Sequence, residues 1–191
     1  MPSLVSRSLS GMLAALLMLL TLVIPLASCG GEEGPPPTAR AVLTAMETVM
    51  VRTAQPLPDG VVYSRAAAPD SPDYLGEVFF TALYGRAAEG LLSGADSPDS
   101  AAVGDAAMFL SMAPYPCELA VFRCAGVDAV PTLVTLCRER LDVVARGFQG
   151  TRWESAAHGL VASEGCYVLL AITEDPRAVI EGAREAIRRR G

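Results

Sequence analysis

The sequence predicts an α+β fold: an antiparallel sheet built from two ββα units, flanked by helices and preceded by two N-terminal helices. Three observations carry this expectation. Two pairs of apolar segments, residues 106–112 with 117–125 and residues 160–163 with 166–173, are each joined by a turn. Each pair is followed by a longer stretch with apolar residues at helical spacing and an acid placed to cap it. Upstream of residue 93, two further helical patterns are separated by proline-rich breaks.

The elements follow in order. Thr38 is placed to cap a helix over residues 39–51, with Val42, Met46, Val49 and Met50 near one face. Pro56-Leu57-Pro58-Asp59-Gly60 is a turn, and Val61-Val62-Tyr63 reads as a short strand. After a break at residues 69–72, Ser71 or Asp73 is expected to cap a helix carrying Leu75, Val78, Phe79, Leu83 and Tyr84, which Gly85 stops. Residues 93–104 are rich in Ser, Asp, Gly, Ala and Pro and read as a loop. The first hairpin turns at Pro114 and Pro116. Asp128 is expected to cap the next helix, which runs to Arg146 and tolerates Pro131 in its first turn. Its apolar stripe is Val130, Leu133, Val134, Cys137, Leu141 and Val144, with Arg138, Glu139 and Asp142 outside it. Glu164-Gly165 turns the second hairpin, and Asp175 caps a last helix over residues 176–190. Cys117 and Cys166 stand at the same offset as Ala129-Val130 and Ala178-Val179, consistent with a repeated architecture.

The last strand is apolar on both sides. Cys166, Val168, Leu170 and Ile172 point one way, and Tyr167, Leu169 and Ala171 the other. Both faces of the sheet therefore need cover. The helices of the ββα units are expected on one face and the N-terminal helices on the second. A face left bare would be a surface for a partner.

The first 28 residues have a different character. Residues 1–11 are polar with Arg7 as their only charge, and residues 12–26 are almost wholly apolar. This is the layout of a secretory signal, with an apolar core shorter than the ~20 residues a spanning helix needs. It ends on Leu26-Ala27-Ser28-Cys29, which resembles the lipobox of bacterial lipoproteins. That resemblance implies that the Cys29 thiol receives a diacylglycerol and that the signal, recognised through Leu26, Ala27 and Ser28, is cut before it. Gly30, Gly31, Gly34 and Pro35 to Pro37, with Glu32 and Glu33, then read as a tether. The expected organisation is a signal peptide over residues 1–28, a lipidated cysteine and tether over 29–37, and a single α+β domain over 38–191. The chain is expected to be anchored to the cell membrane through Cys29, on its extracytoplasmic face.

Composition narrows the function classes. With 51% hydrophobic residues, the 191-residue chain can bury a core. A net charge of −6 with 6% aromatics argues against a nucleic-acid partner. The basic cluster Arg184, Arg188, Arg189 and Arg190 sits where cations complement a helix C-terminus.

No constellation of reactive residues stands out. Asp96, Asp99 and Asp105 lack the spacing of a calcium loop, and no close cysteine pair suits zinc, so neither metal nor cofactor is expected. Cys117, Cys124, Cys137 and Cys166 are expected to be buried thiols in a compartment that permits disulfides. Cys117 and Cys124 differ in parity and face opposite sides of one strand. If one bridge forms, Cys137–Cys166 is the expected pair. His158 is the single histidine, three residues after Ser155, with no nucleophile elbow around that serine. Phosphate-binding glycine loops are absent.

Cys117-Glu118-Leu119-Ala120-Val121-Phe122, then Arg138-Glu139-Arg140, then Glu164-Gly165-Cys166-Tyr167-Val168-Leu169-Leu170 occur in this order, after Ala82-Leu83-Tyr84-Gly85. The arrangement resembles an uncharacterised family of bacterial lipoproteins, domain of unknown function 4358, over residues 41–178. The resemblance implies a fold and a lipid anchor, and no catalytic residues. The loop over residues 93–104 and the cysteines depart from that pattern.

The leading expectation is a non-enzymatic surface module that binds an envelope protein, a cell-wall component or a small solute. One alternative is a cell-envelope hydrolase using His158. The other is a structural subunit of an envelope assembly.

Overall fold

Six consecutive apolar residues, Tyr167–Ile172, form a strand in which every side chain is buried. A strand apolar on both faces must lie inside a layered structure, and the rest of the chain is arranged around it. The computed structural model describes residues 35–93 and 102–189, which belong to one compact unit, Pro35–Gly191. The strands are β1 (Gly60–Ser64), β2 (Val103–Ser111), β3 (Glu118–Cys124), β4 (Gly159–Glu164) and β5 (Tyr167–Ile172). The helices are α1 (Ala39–Arg52), α2 (Glu77–Tyr84), α3 (Val130–Phe148) and α4 (Pro176–Arg188). The strands form one antiparallel sheet in the order β1-β2-β3-β5-β4, as the α+β reading expects.

The cover on the two faces differs from the expectation. α1 and α4 pack on one face, against Phe109, Leu119, Val121, Leu169 and Ala171. α2 and α3 pack on the other, against Met108, Ala120, Phe122, Val168 and Leu170. The two ββα helices, α3 and α4, therefore lie on opposite sides. The reason is in β3 and β5, whose apolar residues point both ways, so two helices per face bury both sets. No face of the central strands is left bare.

Local chemistry sets several element ends. Thr38 caps α1, its hydroxyl accepting from Ala41 N at 3.2 Å, and Asp175 caps α4, accepting from Ala178 N at 3.1 Å. Asp128 does not cap α3: it lies in a short 3-10 turn, Val127–Ala129, that leads into the helix at Val130. Neither Ser71 nor Asp73 caps α2. Ser71 donates to Asp73 within the preceding turn, and α2 starts at Glu77 after Gly76. Glu77 instead gathers the segment beyond the helix, its carboxylate accepting from the backbone N–H of Gly90, Leu92 and Ser93 at 2.6, 3.2 and 3.0 Å. β2 begins at Val103, earlier than the composition suggests, with a bulge between Val103 and Asp105. The stripe of α3 also includes Leu136, which is buried with Leu133 and Cys137.

Candidate functional site

The first piece of the site is the point where the chain enters the domain. Pro37 is buried, and its carbonyl accepts from the Tyr167 hydroxyl at 2.6 Å. The next turn is tied to β2, where the Asp105 carboxylate accepts from Ala39 N at 2.7 Å. Asp105 is thus an N-terminal anchor for α1; Asp96 and Asp99 lie outside the described residues. So do Leu26, Ala27, Ser28 and Cys29. No described helix is long and apolar enough to cross a membrane.

The second piece is a groove between α1 and α4. The two helices run antiparallel: Asp175, capping α4, donates its N–H to Gln55 beyond the end of α1 at 2.8 Å, while Arg189 lies with Pro37 along the groove. They come close because α4 carries Gly182 at the crossing, where an added Cβ would stand 2.4 Å from Val49 Cγ2. Small residues on both sides, Ala41, Ala45 and Ala186, leave a cavity of about 420 Å³. Thr44, Thr48, Arg52, Glu185 and Arg189 supply polar groups. Arg189 is paired with Glu185 at 2.9 Å, whereas Arg52 makes no ion pair among the described residues. Among the described residues the groove thus carries one unpaired cation, Arg52, beside the apolar Val49 and Ala45.

The arginines of α4 do not make a basic face. Arg184 and Arg188 both reach Glu164 on β4, at 3.5 and 2.9 Å, and Glu181, at 3.6 Å each. The Arg188 guanidinium, bonded to Glu164 with Arg184 nearby, holds that carboxyl below its ordinary range. Arg190 lies outside the described residues.

A third feature is a buried polar cluster that links the sheet to α2 and α3. Glu118 on β3 is 3% exposed. Arg140 on α3 donates to it three times, Nε to Oε1 and Oε2 at 3.3 and 3.0 Å and Nη2 to Oε2 at 2.7 Å. The Tyr84 hydroxyl of α2 adds a longer bond at 3.4 Å. Burial, then the Glu118 charge, raise the Tyr84 phenol well above its ordinary value, so it remains a donor. Arg140 stands three residues after Cys137 and four after Leu136, on the buried side of α3, and nothing local in the sequence marks Glu118 as its partner. An acid heading the apolar run of residues 119–122 is the one available signal.

The His158 arrangement is not assembled. His158 and Ser155 are both exposed, on the connector before β4. Among the described residues neither side chain has a hydrogen-bond partner; the His158 carbonyl alone is engaged, by Thr173 N at 3.2 Å. A general base must reach the proton it takes, and among the described residues no nucleophile is hydrogen-bonded to the imidazole. Nor does any group of three His, Cys, Asp or Glu residues suited to a metal occur among the described residues.

The cysteines divide between the faces as their parity requires, Cys117 on the α1/α4 side and Cys124 and Cys137 on the α2/α3 side. Among the described residues Cys117, Cys124, Cys137 and Cys166 are free thiols, with no Cys137–Cys166 bridge. Cys137 is wholly buried under α3, whereas Cys166 lies half-buried in the β4–β5 turn, opposite Cys124. Burial raises all three interior thiols, Cys117 to about 12, Cys124 to about 11 and Cys137 further still.

Comparison with protein-family models, curated proteins and solved structures found no match to this chain.

Proposed function

We propose that this chain is a membrane-anchored, extracytoplasmic lipoprotein that binds rather than transforms its partner, and that the α1–α4 groove is where it binds. The observation that carries the reading is the lipobox-like Leu26-Ala27-Ser28-Cys29 at the end of an apolar core, followed by a Gly/Pro tether. A tether of residues 29–37 reaches at most about 30 Å. It leads into α1, whose first turn is fixed to the sheet by Tyr167 and Asp105. The groove begins at the same place, beside Pro37, and its volume suits a small ligand or a short segment of chain. With both faces of the sheet covered, it replaces the bare sheet face as the binding surface. Arg52, unpaired among the described residues, favours an occupant that presents a carboxylate, as cell-wall peptides do.

The experiment is a titration of the labelled domain with soluble cell-wall peptides bearing free carboxylates, followed by amide NMR. The reading predicts saturable shifts at Thr48, Arg52 and Gly182. No shift, or shifts confined to the far face of the sheet, would remove the groove from the account.

A further inference from the structure

We propose that Cys124 and Cys166 are a redox pair, closing to a disulfide that locks the β4–β5 hairpin to the end of β3. The register carries it. Arg123 pairs with Tyr167 as the last rung between β3 and β5, so the next residues outward are Cys124 and Cys166. The Cys124 N–H donates to the Cys166 carbonyl at 2.8 Å. Residues directly opposite on antiparallel strands have their Cα atoms about 4.5–5.5 Å apart. Disulfides span Cα separations of roughly 4.4–6.8 Å, so the opposed position is within reach of a bond. Both side chains lie on the α2/α3 face, Cys124 within the core cluster and Cys166 packed against its edge. Burial, then the neighbouring Cys166, push the Cys124 thiol up, as two close sulfurs require. Cys137 is also a neighbour of Cys124 in the same cluster, but it sits on α3 with no backbone link to either residue.

The two sites also differ in access, which sets the order of events. Cys166 is half-buried in the turn after Gly165, while Cys124 is 5% exposed. The oxidant is a small disulfide or a disulfide-bearing oxidase. The thiolate of Cys166 attacks one sulfur of that disulfide, forms a mixed disulfide and releases one thiol. Cys124 then gives up its proton to the departing thiolate as its sulfur attacks the Cys166 sulfur, and the second thiol is released. Two protein thiols are oxidised and one external disulfide is reduced to two thiols. The closed loop takes in all of α3 and β4 and joins the two ββα units covalently.

The test uses the full chain in detergent, reduced and then equilibrated with oxidised and reduced glutathione at an oxidising poise. Remaining thiols are trapped by an acid quench and alkylated after unfolding, and the digest is read by mass spectrometry. Cys124 and Cys137 share the fragment between Arg123 and Arg138, so fragment ions must separate them. The expected product links Cys124 to Cys166 and raises Tm by roughly 10 °C, reversibly on reduction. Cys137→Ala keeps the link and Cys124→Ala abolishes it. A bridge through Cys137 or Cys117, or four free thiols after equilibration, overturns the proposal. Thiol trapping in intact cells reports separately on the proposed location. A pair that closes in glutathione but is found reduced in cells supports the pair and counts against an extracytoplasmic address.

Discussion

Arg140→Met tests whether the buried ion pair holds α3 to the sheet. The substitution keeps an apolar stem of similar length under α3 and removes the guanidinium. Glu118 then loses three charge-assisted hydrogen bonds and retains only Tyr84 at 3.4 Å. Breaking one partner of a buried pair costs about 3–5 kcal/mol, because the remaining charge stays desolvated. The Arg140 side chain is 19% exposed, so water reaches part of the vacated space, and the lower end, about 3 kcal/mol, applies. For a domain of this size that corresponds to a Tm lower by roughly 6–12 °C. Glu118→Leu alone strands the guanidinium, whereas the double variant Glu118→Leu/Arg140→Met replaces the pair with apolar contacts. A double-mutant cycle followed by urea unfolding should therefore give a coupling energy of about 2 kcal/mol or more, with the double variant more stable than Arg140→Met. A loss below about 1 kcal/mol for Arg140→Met, or strict additivity, would refute the assignment.

Two further outcomes follow from the packing and from the thiols. Gly182→Val places a Cβ 2.4 Å from Val49 Cγ2, so it should force α1 and α4 apart and cost about 1–3 kcal/mol by thermal unfolding; an unchanged Tm would show that the close helix crossing is absent. Cys117, Cys124 and Cys137 keep their protons in the folded state to higher pH than in the unfolded chain. Their contribution is complete below the unfolded thiol value of about 8.5. It is lost as pH rises toward the folded values, about 11 for Cys124 and about 12 for Cys117. The reduced protein should lose up to about 1.4 kcal/mol per pH unit per thiol above pH ~8.5, and Cys117→Ala should flatten the slope; a pH-independent stability across that range would contradict the burial.

Much of the fold was legible because it is written in short-range pattern. The six-residue apolar run of β5 announces a strand covered on both faces, and Thr38 and Asp175 announce the helices they cap. What periodicity does not encode is which side of the sheet each helix takes. α3 and α4 follow similar hairpins yet lie on opposite faces, because β3 and β5 expose apolar residues both ways and the choice is made by packing. Asp128 looks like a cap in sequence, but a 3-10 turn intervenes before α3 starts. The site was legible only in part. The proposed tether and its cysteine rest on a local motif that lies outside the described residues. The groove depends on Gly182 meeting Val49, the ion pair joins Glu118 on β3 to Arg140 on α3, and Cys166 stands opposite Cys124 rather than Cys137. Each of these is a contact between distant segments that a single sequence leaves undetermined.

The most direct measurement is the intact mass of the chain purified from its native membrane, beside a Cys29→Ser variant. The account predicts a polypeptide that starts at Cys29 and carries a diacylglycerol adduct, and a variant that is neither cut nor acylated. A native chain that retains residues 1–28 with an unmodified Cys29 thiol would contradict it.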